Sequence, residues 1–577
     1  MSTDIVKSPT RKAERLHHSQ DRIEVLSFSE DATPKKKTYS DSYFQGPKEK
    51  TLEDFEELLK DANPLQDEFL TEEEKQHPWR QPLKLYYLVA VAAMGALIVG
   101  IDISLVSGAQ IEYLKQFNVT NTNITGLLAA GTTLGALVGS MLSILLNDWI
   151  GRRGSLFIAS IWSIGASIWE ALAPSWKMLL AGRLMLGVSM GIISSTVPVL
   201  LSEAVPTAIR GAIASLYQQM VATGIFIGYI VDVIFVNIDD IGWRLMLGST
   251  MVPALIESFA VPFQVESPRW LIKKGRIEQA EKVLLAIRLS SEHALRDLVL
   301  IRKAVEEERR MTENKNLYAE LLTVPSLRRE LFVGILLMLF QQFCGMNVFM
   351  YYVDYMFTDL IGISDKKAVL ASLIAGFTNA VFTLPVYWVI DKYGRRSLQL
   401  WTFPIMCAMQ MLALFSYYGT KWVNFGLFMV AVFIFIAAYS PANGPVPWVY
   451  CPEIFPLYVR AQGMAITTFF NYLFNFVVSY SWPDMLQKLK AQGGYGFYAG
   501  AIAVGWVLLF FFMPETKGYT LEQMGMVFEH SLGEIARYHW KCGIRNIRKL
   551  FGLPTSSEPL ASPYNKKLNL KMHGVEE

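Results

Sequence analysis

Residues 147–153 read NDWIGRR, and a similar heptapeptide, IDKYGRR, returns at residues 390–396, which is 243 positions later. A second pair joins SEAVPTAIRG at 202–211 to PEIFPLYVRAQG at 452–463, and a third joins ESPR at 266–269 to PETK at 514–517. Because the offset between partners is nearly constant, the chain is predicted to consist of two repeated halves.

Long apolar segments surround these repeats. The chain is 52% hydrophobic and only 18% charged, against about a quarter for soluble proteins. A helix needs about 20 apolar residues to cross hydrocarbon, and twelve such runs occur. They lie near 85–110, 124–146, 154–174, 178–203, 211–236, 243–264, 330–353, 367–391, 396–418, 422–449, 458–482 and 494–513.

The predicted fold is an all-α integral membrane protein with twelve transmembrane helices in two pseudo-symmetric six-helix bundles. Two transmembrane halves of this kind suit a transporter with its substrate site at their interface. The predicted parts are a largely disordered cytoplasmic tail (1–84), the first bundle (85–264), a cytoplasmic helical linker (265–329), the second bundle (330–513) and a cytoplasmic tail (514–577).

Positively charged loops set the orientation. The loops that carry the two GRR motifs, Arg210 and Arg460 fall on the same side as both tails and the linker, which the positive-inside rule makes cytoplasmic. The first loop on the opposite side holds two glycosylation sequons, at Asn118 and Asn123. The plasma membrane is the expected location.

Other classes of protein lack support in the sequence. A net charge of +2 gives no nucleic-acid signal, and the four cysteines have no metal or redox spacing. No nucleophile elbow, metal-ligand cluster or phosphate-binding loop is present. We therefore expect neither an enzyme nor a bound metal or cofactor, and a chain that works as a monomer in membrane lipid.

The motifs resemble those of the sugar porter family of the major facilitator superfamily. The similarity extends from GIDISLVSGA at 100–109 to PETKG at 514–518. It includes GRLMLGVSMG, RGAIASLYQQ, VESPRWL, QQFCGMN and NGPVPW. The resemblance implies import of a neutral sugar or polyol by alternating access.

The charged residues beside the repeats suit a cytoplasmic gate. Asp148 and Asp391 can pair with an arginine of a neighbouring helix, and Glu203 with Arg210 and Glu453 with Arg460 offer further pairs. The resemblance implies that such pairs form the inner gate; the alternative is that the charges only set topology. The complete predicted set is Asp148, Arg152, Arg153, Glu203, Arg210, Glu266, Arg269, Asp391, Arg395, Arg396, Glu453 and Arg460.

The segment QQFCGMNVFMYY at 341–352 places amides inside an apolar span. On a regular helix Gln341 and Asn347 point about 120° apart, so both reach one ligand only if the helix loosens, for which Gly345 is the natural place. Amides both donate and accept, which suits an uncharged polyhydroxyl compound; the alternative is interhelical bonding. The residues predicted to bind substrate are Gln218, Gln341, Gln342, Asn347, Asn379, Trp448 and Asn475.

Span 10 and span 11 depart from the family pattern. Three prolines around Gly444 predict a break in span 10, and extra residues occur between Ser440 and Gly444. Tyr472 stands where many members have tryptophan. The resemblance leaves hexose, pentose, disaccharide and inositol open as substrates, and these two departures make a non-glucose ligand, such as an inositol or a disaccharide, credible.

Three ionisable residues, Asp102, Arg183 and Glu257, are expected inside the membrane, where an unpaired charge is costly. Asp102 and Arg183 fall at similar depth and are expected to face one another. The resemblance implies proton symport through the acid at 102. The alternatives are a permanent ion pair in a facilitative uniporter, or a non-transporting sugar sensor. Glu257 has no assigned role.

Overall fold

The computed structural model describes residues 77–550, except 78, 207–208, 239, 313–314, 357–364, 419–420, 457 and 518–526. The predicted disorder of the first tail and all of 551–577 lie outside these residues. Within the described part the chain is helical, with no β-strand.

Six spans form the first bundle, and their ends fall close to the predicted ones. The helices are α1 (Leu83–Gln116), α2 (Thr122–Trp149), α3 (Gly151–Ala171), α4 (Trp176–Ala204), α5 (Arg210–Phe235), α6 (Gly242–Gly248) and α7 (Met251–Ala260). The last two, with a 3₁₀ turn at Val261–Phe263, make span six. Gly151, at φ +85°, turns the chain from α2 directly into α3.

Four helices connect the bundles, where two or three were expected: α8 (Pro268–Lys273), α9 (Ile277–Ile287), α10 (Ser291–Thr312) and α11 (Leu317–Thr323). The Ser267 hydroxyl caps α8 by accepting from the Trp270 backbone N–H. Arg288 donates to the Ala204 carbonyl at 2.8 Å, which fixes the linker to the end of α4.

The second bundle contains broken helices. Its helices are α12 (Pro325–Phe343), α13 (Met346–Tyr355), α14 (Asp365–Thr383), α15 (Val386–Tyr393), α16 (Arg395–Phe415), α17 (Lys421–Tyr439), α18 (Val446–Ile454) and α19 (Arg460–Phe512). A further helix, α20 (Leu532–Leu550), follows. Lys490 has non-helical backbone angles, so α19 is two helices joined at a kink and contains predicted spans 11 and 12.

Eight helices among the described residues are long and apolar enough to cross a membrane, and nine if α14 and α15, bent by 50°, count as one span. The remaining predicted spans are α3, the shorter α17 and the second part of α19. The structure confirms the twelve-helix fold.

Small residues let the helices of each bundle approach closely. A Cβ at Gly100 on α1 would lie 2.1 Å from the Val221 carbonyl oxygen on α5. A Cβ at Gly187 on α4 would lie 2.1 Å from the Thr132 carbonyl oxygen on α2. Membrane helices associate through such close contacts because lipid supplies no hydrophobic driving force.

Candidate functional site

A cavity lies between the two halves at the middle of the spans. Its empty volume is about 740 Å³, including the part that opens to solvent. All seven residues predicted to bind substrate line it: Gln218, Gln341, Gln342, Asn347, Asn379, Trp448 and Asn475. Apolar side chains from α1 and α5 fill much of the remaining wall, and the lining has no charged residue.

The seventh span, made of α12 and α13, is broken at the predicted glycine. Gly345 has φ +84° and separates α12 from α13. A Cβ there would lie 3.0 Å from both the Gln410 side-chain nitrogen and the Tyr498 ring. The break therefore needs glycine for its backbone conformation and for space.

The amides at this break form a network of hydrogen bonds. Gln341 Nε2 donates to the carbonyls of Gly444 at 2.7 Å and Asn443 at 3.2 Å, and Gln341 Oε1 accepts from Asn471 Nδ2 at 2.6 Å. Gln342 Nε2 donates to Asn471 Oδ1 at 3.1 Å, while Gln342 Oε1 accepts from Asn347. Gln341 thus makes the interhelical bonds that were the alternative to substrate binding.

Other polar groups of the cavity wall can still form hydrogen bonds to a ligand. The Gln218 amide and the Trp448 indole N–H line the cavity and have no hydrogen-bond partner among the described residues. Trp448 also meets Tyr217 with ring centroids 5.7 Å apart. Asn379 accepts a hydrogen bond from the Ser440 hydroxyl at 2.8 Å, and Asn475 accepts one from the Ser479 hydroxyl at 3.1 Å.

Several lining residues were not predicted from the sequence. Asn471 lies one helical turn before Asn475 on α19, so the four-residue spacing could have revealed it. Tyr472, already identified from the sequence as a departure from the family pattern, lies next to it and donates to the Ser194 hydroxyl of α4, so it joins the two halves. The remaining unpredicted polar residues of the wall are Thr132, Thr133, Tyr217, Tyr351 and Tyr439.

A buried charge cluster lies beside the cavity. Arg183 Nη1 is 3.7 Å from Asp102 Oδ1 and 3.9 Å from Glu170 Oε2, and all three side chains are at most 1% exposed. Arg183 Nη2 also donates to the Thr132 hydroxyl at 3.3 Å, and Thr132 lines the cavity. The cluster therefore contacts the cavity wall directly.

The expectation of only three ionisable residues in the spans is wrong. Glu170, Asp232, Glu330 and Asp354 are also buried within spans. Glu170 stands close to the end of its helix, and near a helix end the sequence does not tell whether a residue lies inside the membrane or in the following loop. Glu257 is buried next to Gly95 without a hydrogen-bond partner among the described residues, and nothing in the structure explains it.

We call the end of the bundle with the GRR motifs the GRR end and the opposite end the far end. At the far end α13 is fastened to the first half. Gln110 Nε2 on α1 donates to the Tyr351 carbonyl at 2.8 Å, and the Tyr229 hydroxyl on α5 donates to the Met350 carbonyl at 2.8 Å. The Asp354 backbone N–H donates to the Ser107 hydroxyl at 3.3 Å.

At the GRR end each half carries the same charged cluster. In the first half Arg152 lies 2.8 Å from Glu203, whose other oxygen accepts from the Ser267 hydroxyl at 2.5 Å. Glu266 accepts the backbone N–H groups of Arg152 and Arg153 at 3.0 and 3.1 Å. Burial raises the pKa of the Glu266 carboxyl, and these backbone hydrogen bonds oppose the shift.

The second half repeats this arrangement. Arg395 lies 2.7 Å from Glu453, whose other oxygen accepts from the Thr516 hydroxyl at 2.8 Å. Glu515 accepts the backbone N–H groups of Arg395 and Arg396 at 2.8 and 3.1 Å. The internal repeat of the sequence is thus a repeat of hydrogen bonds.

The predicted pairs of the gate need correction. Glu453 pairs with Arg395, whereas Arg460 Nε donates to the Phe455 carbonyl at 3.2 Å. Glu203 pairs with Arg152, and the side chain of Arg210 lies outside the described residues. Each such pair lies within one half, because the glutamate near the end of one helix lies beside the arginine at the start of an earlier helix of the same half.

Three further gate residues, Asp148, Arg269 and Asp391, pair with the linker or within their own half. Asp148 is 60% exposed and lies 3.9 Å from Lys273 and from Lys274, so its partners are lysines of α8 and its C-cap and not arginines. Arg269 pairs with Glu308 of the linker at 2.8 Å. Asp391 pairs with Arg395 at 2.9 Å and also lies 3.7 Å from a Cβ built at Gly211, which brings the halves together at this end.

The two sequons lie in the loop between α1 and α2. Asn118 has φ +51°, and the backbone N–H of Asn123 donates to the Asn121 side chain at 2.9 Å. Their glycosylation stays a prediction.

Comparison with known proteins identifies the class. A twelve-helix bundle with a polar cavity between its halves is the architecture of a membrane transporter. The family model "Sugar (and other) transporter" matches residues 88–528. The chain belongs to this family and is a multi-pass membrane protein, which confirms the recognition of a sugar porter.

Relatives with curated names are similar over most of the chain. The galactose-proton symporter of Escherichia coli K12 is 32% identical over 446 residues, which cover 76% of this chain and 93% of the symporter. A myo-inositol transporter of Gibberella moniliformis is 32% identical over 477 residues, which cover 81% and 82% of the two chains.

Solved structures give the same fold. The proton:xylose symporter XylE bound to 6-bromo-6-deoxy-D-glucose matches with a TM-score of 0.67 at 27% identity, covering 77% of this chain and 99% of that one. Its partially occluded inward-open form from E. coli matches with a TM-score of 0.65 at 26% identity, covering 76% and 99%.

Proposed function

We propose that this protein imports a neutral sugar or polyol together with a proton by alternating access. The observation that carries the proposal is a cavity between the halves whose lining contains seven amide side chains and no charged residue. A charged substrate would require a fixed opposite charge, whereas hydroxyl groups require donors and acceptors. The protein works in the plasma membrane as a monomer, with both termini cytoplasmic.

A single-ring sugar or cyclic polyol is the preferred substrate class. Similar proteins are named as carriers of galactose, arabinose, myo-inositol and polyols. The Gln218 amide and the Trp448 N–H offer unused hydrogen bonds, and the Trp448 ring offers an apolar surface for C–H groups.

Counting charges supports coupling to a proton. Asp102 and Glu170 share a single arginine in a site that is closed to solvent. One guanidinium compensates one carboxylate, and a second uncompensated buried carboxylate is costly. One carboxyl group of the cluster therefore carries a proton in this conformation, and a conformation that admits water releases it.

Alternating access follows from which contacts join the halves. At the far end the helix α13 contacts α1 and α5, so its movement opens the cavity outward. Toward the GRR end Tyr217 meets Trp448 and Tyr472 meets Ser194, so separating these pairs opens the cavity inward. The charged clusters hold the helix ends of each half together as it moves as a unit.

Uptake of labelled sugars and polyols in a transport-deficient host tests this function. We expect concentrative uptake of at least one single-ring compound that stops when a protonophore collapses the proton gradient. Accumulation that survives the protonophore would make the protein a facilitative carrier or one with another coupling ion. No uptake of any compound, with binding retained, would favour a sugar sensor on the same fold.

A further inference from the structure

Helix α20 lies beyond the family match, which ends at residue 528, and is held against the last span. The Trp540 ring stacks on Phe511 with centroids 6.1 Å apart and an interplanar angle of 26°. A Cβ at Gly543 would lie 2.7 Å from Phe510. Since Phe510 and Phe511 are near the end of α19, these contacts hold α20 at the level where the span leaves the bilayer.

The helix has two chemically different sides. Ile535 and His539 are buried against the bundle. Arg537, Lys541, Arg545 and Arg548 follow one another at spacings of four, four and three residues, so they form one stripe along the helix. We call these four residues the basic stripe.

Three of the four side chains in the basic stripe form no ion pair within the part of the chain that the structure describes. Arg537, Lys541 and Arg548 are exposed and have no ion-pair partner among the described residues. The single acidic residue of the helix, Glu534, lies in its first turn, 3.4 Å from His530. The exposed side of α20 therefore carries a strong positive charge.

The position of Trp540 shows which side of α20 carries the basic stripe relative to the bundle. At about 100° per residue, Trp540 lies between Gly543, which faces the bundle, and Arg537, which begins the stripe. Trp540 is 54% exposed and stacks on the rim of α19, whose Trp506 is 38% exposed on the outer surface of the bundle. The stripe thus continues from the side of α20 that is turned toward lipid.

We propose that the basic stripe of α20 binds anionic lipid headgroups of the cytoplasmic leaflet. Guanidinium and ammonium groups pair with phosphate and carboxylate, and tryptophan prefers the interface between water and hydrocarbon. Anionic lipid supplies the negative surface that such a stripe requires. This inference rests on the proposed cytoplasmic location of the C-terminal tail, and it gives this transporter an activity that depends on lipid charge.

The test uses the full-length protein in vesicles of phosphatidylcholine, alone or mixed with phosphatidylserine. Native mass spectrometry measures the phosphatidylserine retained, and hydrogen exchange measures protection of residues 532–550. We expect preferential retention of phosphatidylserine, slower exchange in its presence, and loss of both effects at high salt. The variant Arg537→Gln/Lys541→Gln/Arg548→Gln should weaken retention at least about tenfold.

A matched control removes the same charge elsewhere. The variant Arg302→Gln/Lys303→Gln/Arg309→Gln on α10 should retain phosphatidylserine as the wild type does. Equal retention by wild type and stripe variant, or equal loss in the control, would overturn the inference. Sugar uptake by the stripe variant in pure phosphatidylcholine shows that it is folded, whereas absence of uptake by the wild type in every vesicle counts against the proposed function alone.

Discussion

The Gln341 side chain donates a 2.7 Å hydrogen bond to the carbonyl of Gly444 and so joins two helix breaks. Gln341 stands just before the break between α12 and α13, and Gly444 lies in the break between α17 and α18. Carbonyls exposed by broken helices must be satisfied inside a membrane. One amide thus stabilises the irregular backbone of the cavity and ties its two moving helices together.

The Gln341→Ala substitution should therefore reduce both binding and stability. We expect the apparent KM to rise at least about tenfold, since one or more buried hydrogen bonds are lost, together with a lower melting temperature. Gln399→Ala is the control, because Gln399 is also fully buried but lies outside the cavity lining. An unchanged KM in Gln341→Ala would remove α12 from the substrate site.

Gln218 should act on the substrate more directly. Its amide has no hydrogen-bond partner among the described residues, so Gln218→Ala should raise the apparent KM at least about tenfold with little change in melting temperature. The neighbouring Gln219 donates to the Ala380 carbonyl at 3.0 Å and lies outside the lining. Gln219→Ala should show the reverse, lower stability at a nearly constant KM, and identical effects of both substitutions would refute the assignment.

The buried cluster predicts separate effects for its two acids. Asp102→Asn should abolish concentrative uptake but spare exchange of substrate across the membrane, because exchange needs no net proton movement. Glu170→Gln leaves Asp102 alone with Arg183, which favours the ionised acid, so half-maximal uptake should move to a more acidic external pH. Uptake assayed over a range of external pH distinguishes these results, and a Glu170→Gln profile identical to that of the wild type would exclude Glu170 from the coupling.

The break between α12 and α13 predicts a loss of stability for any side chain at position 345. Gly345→Ala places a Cβ 3.0 Å from Gln410 and Tyr498 on a backbone of positive φ, so we expect an unfolding free energy lower by more than about 1 kcal/mol. Gly275 also has positive φ, +75°, but nothing lies within 4 Å of its Cβ position. Gly275→Ala measures the backbone effect alone, and equal losses in thermal unfolding of the two variants would show that the packing around Gly345 does not matter.

Docking of α20 should weaken as the pH falls. Burial lowers the pKa of His539 to about 4, with Arg396 adding to the shift, and the ring nitrogen lies 3.0 Å from the Phe511 carbonyl oxygen. Because an undocked histidine titrates near about 6.5, docking is complete above that pH and loses up to about 3 kcal/mol as the pH falls toward about 4. Hydrogen exchange of residues 532–550, corrected for intrinsic rates, should reveal this loss, and His539→Gln should remove its pH dependence.

Much of the fold could be predicted from the sequence, but the hydrogen-bond partners of the site residues could not. The repeated GRR motifs and apolar runs predict two six-helix halves because lipid admits only helices with satisfied backbones. Gly345 predicts the break between α12 and α13, since no other residue adopts positive φ so readily. The partner of Gln341, however, is a backbone carbonyl about a hundred residues away, which no pattern of side chains records.

The charged residues show the same limit. Sequence spacing suggested that Glu203 and Glu453 pair with the arginine seven residues later, but each pairs with an arginine of a GRR motif. Short separation along the chain favoured the predicted pairs, whereas the observed pairs form because the helices that carry them are neighbours in the bundle. Glu170 was missed because it stands one residue before the end of its helix, and its charge partner belongs to α4.

The most direct measurement is a structure of the protein with a transported single-ring sugar or polyol bound. We expect the ring between the halves, with its hydroxyl groups within hydrogen-bond distance of Gln218 and Asn347 and with a face against Trp448. A ligand bound outside this cavity, or one that leaves all three side chains uncontacted, would contradict the account.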